Sequence, residues 1–347
     1  MTAAVAFGKT DLRDVQAGVL ASLNSQYNFV RSRQLEGTYP GDPGTGVWPI
    51  TCNRVSFGWG AVTYDDCPRT MSRETWPPPE PPGLDAKAKS LRSYHYQRIR
   101  SADECCIMLG HRQPVNAAFE ITDQWFSADD GVIRPPASAD EIVGSHCVSL
   151  IGFDALRSRF VFVNSWGEHW GNRGFGSLTF EYFDKYLVSA WTSRGAGSLP
   201  HFFACEGIQT VSWGDLDFLG NSVHGGDLIH GREVYDGTND ERIAWAFAVH
   251  RDGFLDVEEL FVRPQFRGKG CGRQLVDMLL ELAGDVKRPL RAWIPFADWT
   301  ESNLPAVERI IQKLGLSLFH SNVRWAPAMA LDPTALPSQR ETGGPTA

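Results

Sequence analysis

Two runs constrain this chain more than any other feature: HCVSLIGF, starting at His146, and RFVFVNSW, starting at Arg159. Both are rich in β-branched and aromatic residues, and the polar segment DALRS separates them, which predicts a β-hairpin. His146 opens the first strand and Asn164 closes the second, so the hairpin can bring imidazole and carboxamide together. Cysteine peptidase chemistry needs a thiolate, an imidazole that holds its proton and a third group that orients the ring. An asparagine carbonyl can serve as the third group. Trp166, two residues on, is placed to shield that hydrogen bond from water, which would strengthen it.

The match extends well beyond two residues. GSHCVSLIGFD (144–154) and FVFVNSWGEHWGNRGFGSLTFEYF (160–183) resemble the histidine and asparagine region of papain-like cysteine peptidases. Their pattern runs G-x-H-x-V-x-x-x-G-Y-D and then N-S-W-G-x-x-W-G-x-x-G-Y, and Phe153 and Phe175 stand where tyrosines are common. The resemblance implies an α+β papain-like domain. It also implies a nucleophile in a setting such as G-S-C-x-A-F-A, about 130 to 150 residues before the histidine. No cysteine stands in that window. The best local match, AAVAF (3–7), aligns Ala4 with the nucleophile, and the glutamine of the family's oxyanion hole would fall before Met1. The expected domain is therefore a peptidase remnant, with His146 and Asn164 retained and its groove serving peptide or protein recognition. The alternative is an active peptidase that draws its thiol from another cysteine. Cys52 lies in a turn-rich segment, and Cys147 on a strand points away from the face of His146.

A second constellation follows. GREVYD, RIAWAFAVH and FLDVEELFV read as strands, and the last leads through a turn with Gly268, Gly270 and Gly272 into a helix over 273–283. Leu275, Leu279 and Leu282 share one face of that helix. Glycines there let backbone approach a ligand, and the N–H groups at a helix start attract an anion such as a pyrophosphate. Arg267, Lys269 and Arg273 add local positive charge. Neither a Walker loop nor a dinucleotide fingerprint fits the spacing. The segment is similar to the acyl-CoA signature of the GNAT acetyltransferase superfamily, [QR]-x-x-G-x-[GA]. Two registers satisfy it: Gln265, Gly268, Gly270 or Arg267, Gly270, Gly272. ESNLPAVERIIQKLGLSLF (301–319) is similar to the family's N-x-x-A-x-x-x-Y-x-K-x-G-F element, with Asn303, Ala306 and Gly315 matching. Ile310 or Ile311 replaces its tyrosine, which often protonates the departing thiolate. The resemblance implies an α/β domain with a central mixed, mostly antiparallel sheet and acetyl-CoA as co-substrate. Backbone N–H groups near Phe261 and Val262 would hold pantetheine and polarise the thioester carbonyl. Glu258, favoured over Glu259, would act as base toward the acceptor amine.

At 347 residues the chain has room for two domains. Residues 1–205 are assigned to the papain-like domain, 206–330 to the GNAT-like domain and 331–347 to a disordered tail. Helical periodicity is expected over Val15 to Gln34, then a long turn-rich stretch, with strands from His146. The prolines of TWPPPEPPG (75–83) predict an extended surface excursion. A net charge of -8 argues against a general nucleic-acid binder. The seven cysteines show neither CxxC nor zinc spacing, so reduced thiols and no metal are expected. With no membrane span and no secretory signal in view, the cytoplasm is the default location. The reading is an acetyl-CoA-dependent N-acetyltransferase whose amine acceptor, a peptide or protein among the candidates, is delivered by the first domain. A third reading makes both domains binding modules without catalysis.

Overall fold

The computed structural model describes residues 23–68, 74–93, 95–111, 113–136, 141–194, 208–216, 229–236, 238–239, 241–251, 253–293, 298, 303–319 and 330–333. The chain divides into two compact units, residues 1–202 and 203–347.

The first unit begins with β1 (Leu23–Asn24), α1 (Ser25–Leu35), α2 (Pro49–Gly58), β2 (Val62–Thr63) and α3 (Leu84–Ala88). β1 pairs with β2, and Tyr27, Val55, Val62, Cys67, Leu84 and Ala88 make a core beneath them. Of the helix expected over Val15–Gln34, the part before residue 23 lies outside the described residues. TWPPPEPPG forms neither helix nor strand, as its prolines require, but it is anchored rather than a free excursion. The Trp76 indole N–H donates to the carbonyls of Pro40 and Gly41 at 2.6 and 2.9 Å, and the ring packs edge-on against Phe29 and Tyr39.

The remaining elements of this unit are β3 (His95–Ile99), α4 (Ala102–Gly110), β4 (Val115–Thr122), β5 (Val132–Ile133), β6 (Ile142–Asp154), β7 (Arg159–Val163), β8 (Phe175–Thr179), α5 (Phe180–Tyr186) and β9 (Leu187–Arg194). The sheet order is β3-β9-β4-β6-β7-β8-β5, antiparallel throughout except for the parallel pair β5–β8. The expected hairpin is β6–β7, with Ser149 opposite Val163 and Asp154 opposite Arg159. Strands were expected only from His146 onward, yet β3 and β4 precede it. β4 is buried along its whole length, so it lacks the alternation that marks a half-exposed strand. Phe119, Phe160, Phe162, Tyr182, Phe183 and Trp125 fill the interior, and Trp125 Nε1 donates to the Tyr182 hydroxyl at 3.0 Å.

The second unit comprises β10 (Ile208–Leu216), β11 (Ile229–Asp236), β12 (Glu241–Arg251), β13 (Phe254–Val262), α6 (Cys271–Val286), β14 (Leu290–Trp293), α7 (Leu304–Lys313), β15 (Leu316–Phe319) and β16 (Ala330–Pro333). Its sheet runs β10-β11-β12-β13-β14-β16-β15, and only β13–β14 is parallel. Leu331–Pro333, assigned from sequence to the tail, belong to β16; residues 334–347 lie outside the described residues. One face of the sheet, with Ala244, Ala246, Ala248, Leu255 and Val257, packs on Leu275, Leu279 and Leu282 of α6. The opposite face carries Trp245, Phe247 and Phe261. Among the described residues no helix is long and apolar enough to cross a membrane.

Candidate functional sites

In the first unit, His146 on β6 meets Asn164 just past the end of β7, with Nε2 and Oδ1 2.8 Å apart. The Ser165 N–H donates to the same Oδ1 at 2.7 Å, which fixes that atom as an acceptor. His146 Nε2 is therefore the protonated nitrogen, and Nδ1 is left on the far edge of the ring. Trp166 stacks on the imidazole with centroids 4.4 Å apart and 27° between planes; Phe126, 59% exposed, stacks in turn on Trp166 at 5.1 Å. Burial lowers the His146 pKa below its ordinary 6.5, and the Asn164 bond works the other way. The loop that delivers Asn164 and Trp166 depends on glycine. A Cβ at Gly171 would stand 2.6 Å from the Phe175 carbonyl oxygen, and one at Gly176 would stand 2.4 Å from the Phe162 ring.

The segment aligned with a nucleophile, including Ala4, lies outside the described residues. Neither alternative thiol suits the role. Cys52 is buried in α2 beside the Ser32 hydroxyl, and burial pushes its thiol up to about 12. Cys147 follows His146 on the strand and pairs with Ala118 where His146 pairs with Phe119; burial pushes it up to about 12 as well. A reactive cysteine needs the opposite shift.

In the second unit, β13 pairs in parallel with β14 over Leu255–Val257, one residue short of the end of β14 at Trp293. There β13 bulges against β12: Phe247 faces Glu259 while Ala248 faces Val257, leaving Glu258 as the extra residue. Beyond the bulge, Arg263 N–H donates to Ile243 O at 3.0 Å. Peptide groups alternate along a strand, so those of Phe261 face β12 and those of Leu260 and Val262 face away from it. This corrects the expectation for Phe261, whose N–H is spent on the ladder, and adds Leu260, which the sequence reading missed. Alternation counted back from Val262 would have found it.

Glu258, expected as base, is closed in an ion pair: Arg251 Nη1 donates to its Oε1 at 2.5 Å, and the two side chains are 1% and 3% exposed. An acceptor amine would have to displace an arginine to reach it. Glu259, itself 1% exposed, lies on the face of Trp245 and Phe261, whose rings lie 4.8 Å apart. Where the two strands pair, Arg291 on β14 clamps Asp256 on β13 through bonds of 2.5 and 2.8 Å.

Past β13, Pro264–Phe266 form one 3-10 turn with Gln265 exposed, and Gly268 and Gly270 follow at φ +77° and +89°. Gly270 is the residue before α6, and nothing lies within 4 Å of where its Cβ would be, so its glycine answers to backbone conformation. Gly272 is already helical, and its Cβ would only touch Val262 at 3.5 Å. Lys269 lies over the Phe266 ring, and Arg273 is exposed at the helix start. Asn303 precedes α7, and its Oδ1 accepts from Arg267 Nη1 at 2.7 Å.

The first site is thus an imidazole oriented by a carboxamide under a tryptophan ring, and the second is a glycine turn that leads from the end of β13 into the start of α6. Sequence models of two families match the same regions: papain family cysteine protease over residues 80–187 and GNAT family acetyltransferase over 226–315. The family models thus find a papain-family C1 domain and, C-terminal to it, a GNAT acetyltransferase domain. An uncharacterized peptidase C1-like protein of Acanthamoeba polyphaga mimivirus is 29% identical over 116 residues, covering 30% of this chain and 37% of that relative. The chain thus spans little more than a third of that relative's length. Among solved structures, xylellain, a cysteine protease from Xylella fastidiosa, is 20% identical over 50% of this chain and 70% of its own, with a TM-score of 0.45. A cysteine protease from Carica candamarcensis is 17% identical over 53% and 82%, with a TM-score of 0.37.

Proposed function

We propose that the protein is a GNAT-type N-acyltransferase that moves an acetyl group from acetyl-CoA to an amine, with the papain-like domain recognising a peptide or protein acceptor. The domains are taken as 1–205 and 206–330. The observation that carries the reading is the turn after β13, where Gly268 and Gly270 take positive φ and lead straight into the start of α6. That combination offers backbone donors and acceptors to pantetheine along Leu260 and Val262, and N–H groups to a pyrophosphate at the start of α6. The conformations of Gly268 and Gly270 favour the register that begins at Gln265, and Lys269 and Arg273 complement the phosphate charge.

The co-substrate supplies an activated acetyl thioester. The acceptor nitrogen forms a bond to the acetyl carbon as the carbon–sulfur bond breaks, and the sulfur leaves as a thiolate that takes a proton from water. We assign the amine proton to Glu259, the first carboxylate beyond the bulge on the Phe261 face, in place of Glu258. No tyrosine is needed, which agrees with buried Ile311 and partly buried Ile310 at the family's tyrosine position. For the first domain, the ordered His146–Asn164 pair and the exposed Phe126–Trp166 stack support a groove that holds peptide, and the raised thiols argue against cleavage.

Calorimetric titration of the full chain with acetyl-CoA, beside a Gly270→Glu variant, tests the reading. Binding by the wild type that the variant loses supports it. No binding by the wild type would overturn it.

A further inference from the structure

The sequence reading placed Arg267 among the groups that hold the co-substrate, as a cation beside phosphate. Its geometry assigns it other work. Nε donates to the carbonyl oxygen of Val262 at 3.2 Å and Nη1 to Oδ1 of Asn303 at 2.7 Å. Val262 is the last residue of β13, and Asn303 is the residue before α7. One planar fork therefore ties the end of the strand to the start of the helix, with guanidinium and carboxamide 36 residues apart along the chain.

Asn303 has helical backbone angles, φ -95° and ψ -27°, and Ala306 and Val307 donate to its main-chain carbonyl, so its backbone belongs to the first turn of α7 while Oδ1 accepts from Arg267.

We infer that Arg267 is a positioning residue, a strap that holds α7 against the end of β13 and so fixes the shape of the acyl-CoA cleft, while phosphate is met by Lys269, Arg273 and the first N–H groups of α6. The inference rests on the acyl-CoA reading above. A strap depends on the fork of the guanidinium, whereas a phosphate contact depends chiefly on its charge, and lysine keeps the charge but not the fork.

Acetyl-CoA affinity of the full-length protein is therefore measured at low and high salt for wild type, Arg267→Lys, Arg267→Ala, Asn303→Ala and the Arg267→Ala, Asn303→Ala double variant. Arg267 and Asn303 are respectively exposed and partly exposed, so folding is retained and is checked by circular dichroism. The strap predicts that both Arg267 variants and Asn303→Ala weaken binding by a similar factor, about tenfold. It also predicts that the double variant is no weaker than either single, and that salt does not change the ratio to wild type. Retained affinity in Arg267→Lys, a loss in Arg267→Ala that shrinks with salt, or an unaffected Asn303→Ala would each overturn the strap while leaving the acyl-CoA reading intact. If wild type itself does not bind acetyl-CoA, the reading of the site falls and the strap with it.

Discussion

His146 is where burial and hydrogen bonding act most directly on one proton. Stacking under Trp166 removes water from the ring and disfavours the imidazolium, while Asn164 favours it; burial is the larger effect, so the pKa lies below 6.5. The folded state then binds fewer protons than the unfolded chain once pH drops below 6.5, and stability falls as pH is lowered through that value, by up to about 1.4 kcal/mol for each pKa unit of depression. Trp166→Ala lets water reach the ring, so the His146 pKa should rise toward 6.5 and the acid loss of stability should shrink. Titrating the imidazole proton resonances by NMR checks both; a wild-type value at or above 6.5 would mean that the stack does not dry the ring. Thiol chemistry gives a second residue-scale expectation. With Cys52 and Cys147 both pushed to about 12, iodoacetamide at pH 8 should label neither faster than a thiol in the unfolded chain, as read by mass spectrometry. Rapid selective labelling of either would revive the peptidase reading.

At the scale of elements, the bulge in β13 gives its two adjacent glutamates, Glu258 and Glu259, different surroundings. Glu258 stays with Arg251, so Glu258→Gln should remove a charge that faces the buried guanidinium and cost stability by about 3 kcal/mol. Glu259→Gln should instead depress turnover at neutral pH by about 10²-fold, with acetyl-CoA affinity kept. The reverse pattern in melting curves and steady-state rates would return the base to Glu258. A bulge of this kind is not written in period-two alternation, which is why FLDVEELFV announced a strand but not the pair that Glu258 makes with Arg251. The same strand's amphipathic helix was legible because Leu275, Leu279 and Leu282 repeat at helical spacing, and it extends to Cys271 because Gly270 takes the left-handed conformation just before it. α2 and β4 escaped the reading for a shared physical reason: buried on every side, they offer no contrast between wet and dry faces. The β6–β7 hairpin and the His146–Asn164 pair were legible because one polar turn between two apolar runs leaves little topological choice.

For the whole molecule, two chemistries on two compact units lead to an expectation that hydrogen exchange can test in a single experiment. A ligand that binds only the folded state stabilises it by an amount set by its concentration relative to Kd, about 2.7 kcal/mol at a hundredfold excess. Acetyl-CoA at that excess should slow amide exchange in β13, α6 and α7 and around Gly268 and Gly270, since the cleft is built from those elements. Exchange in β4, β6 and the loop from Asn164 to Gly176 should be unchanged, because none of them contributes a group to the cleft. Lowering the pH from 7.5 to 5.5 should do the converse after correction for intrinsic rates, loosening the neighbourhood of His146 as the unfolded imidazole takes up its proton while the acetyl-CoA-protected segments keep their protection. Protection by acetyl-CoA that appears instead around His146 and Trp166 would place the acyl-CoA site in the papain-like domain. The glycine turn after β13 would then have to be explained as an architectural feature without a ligand.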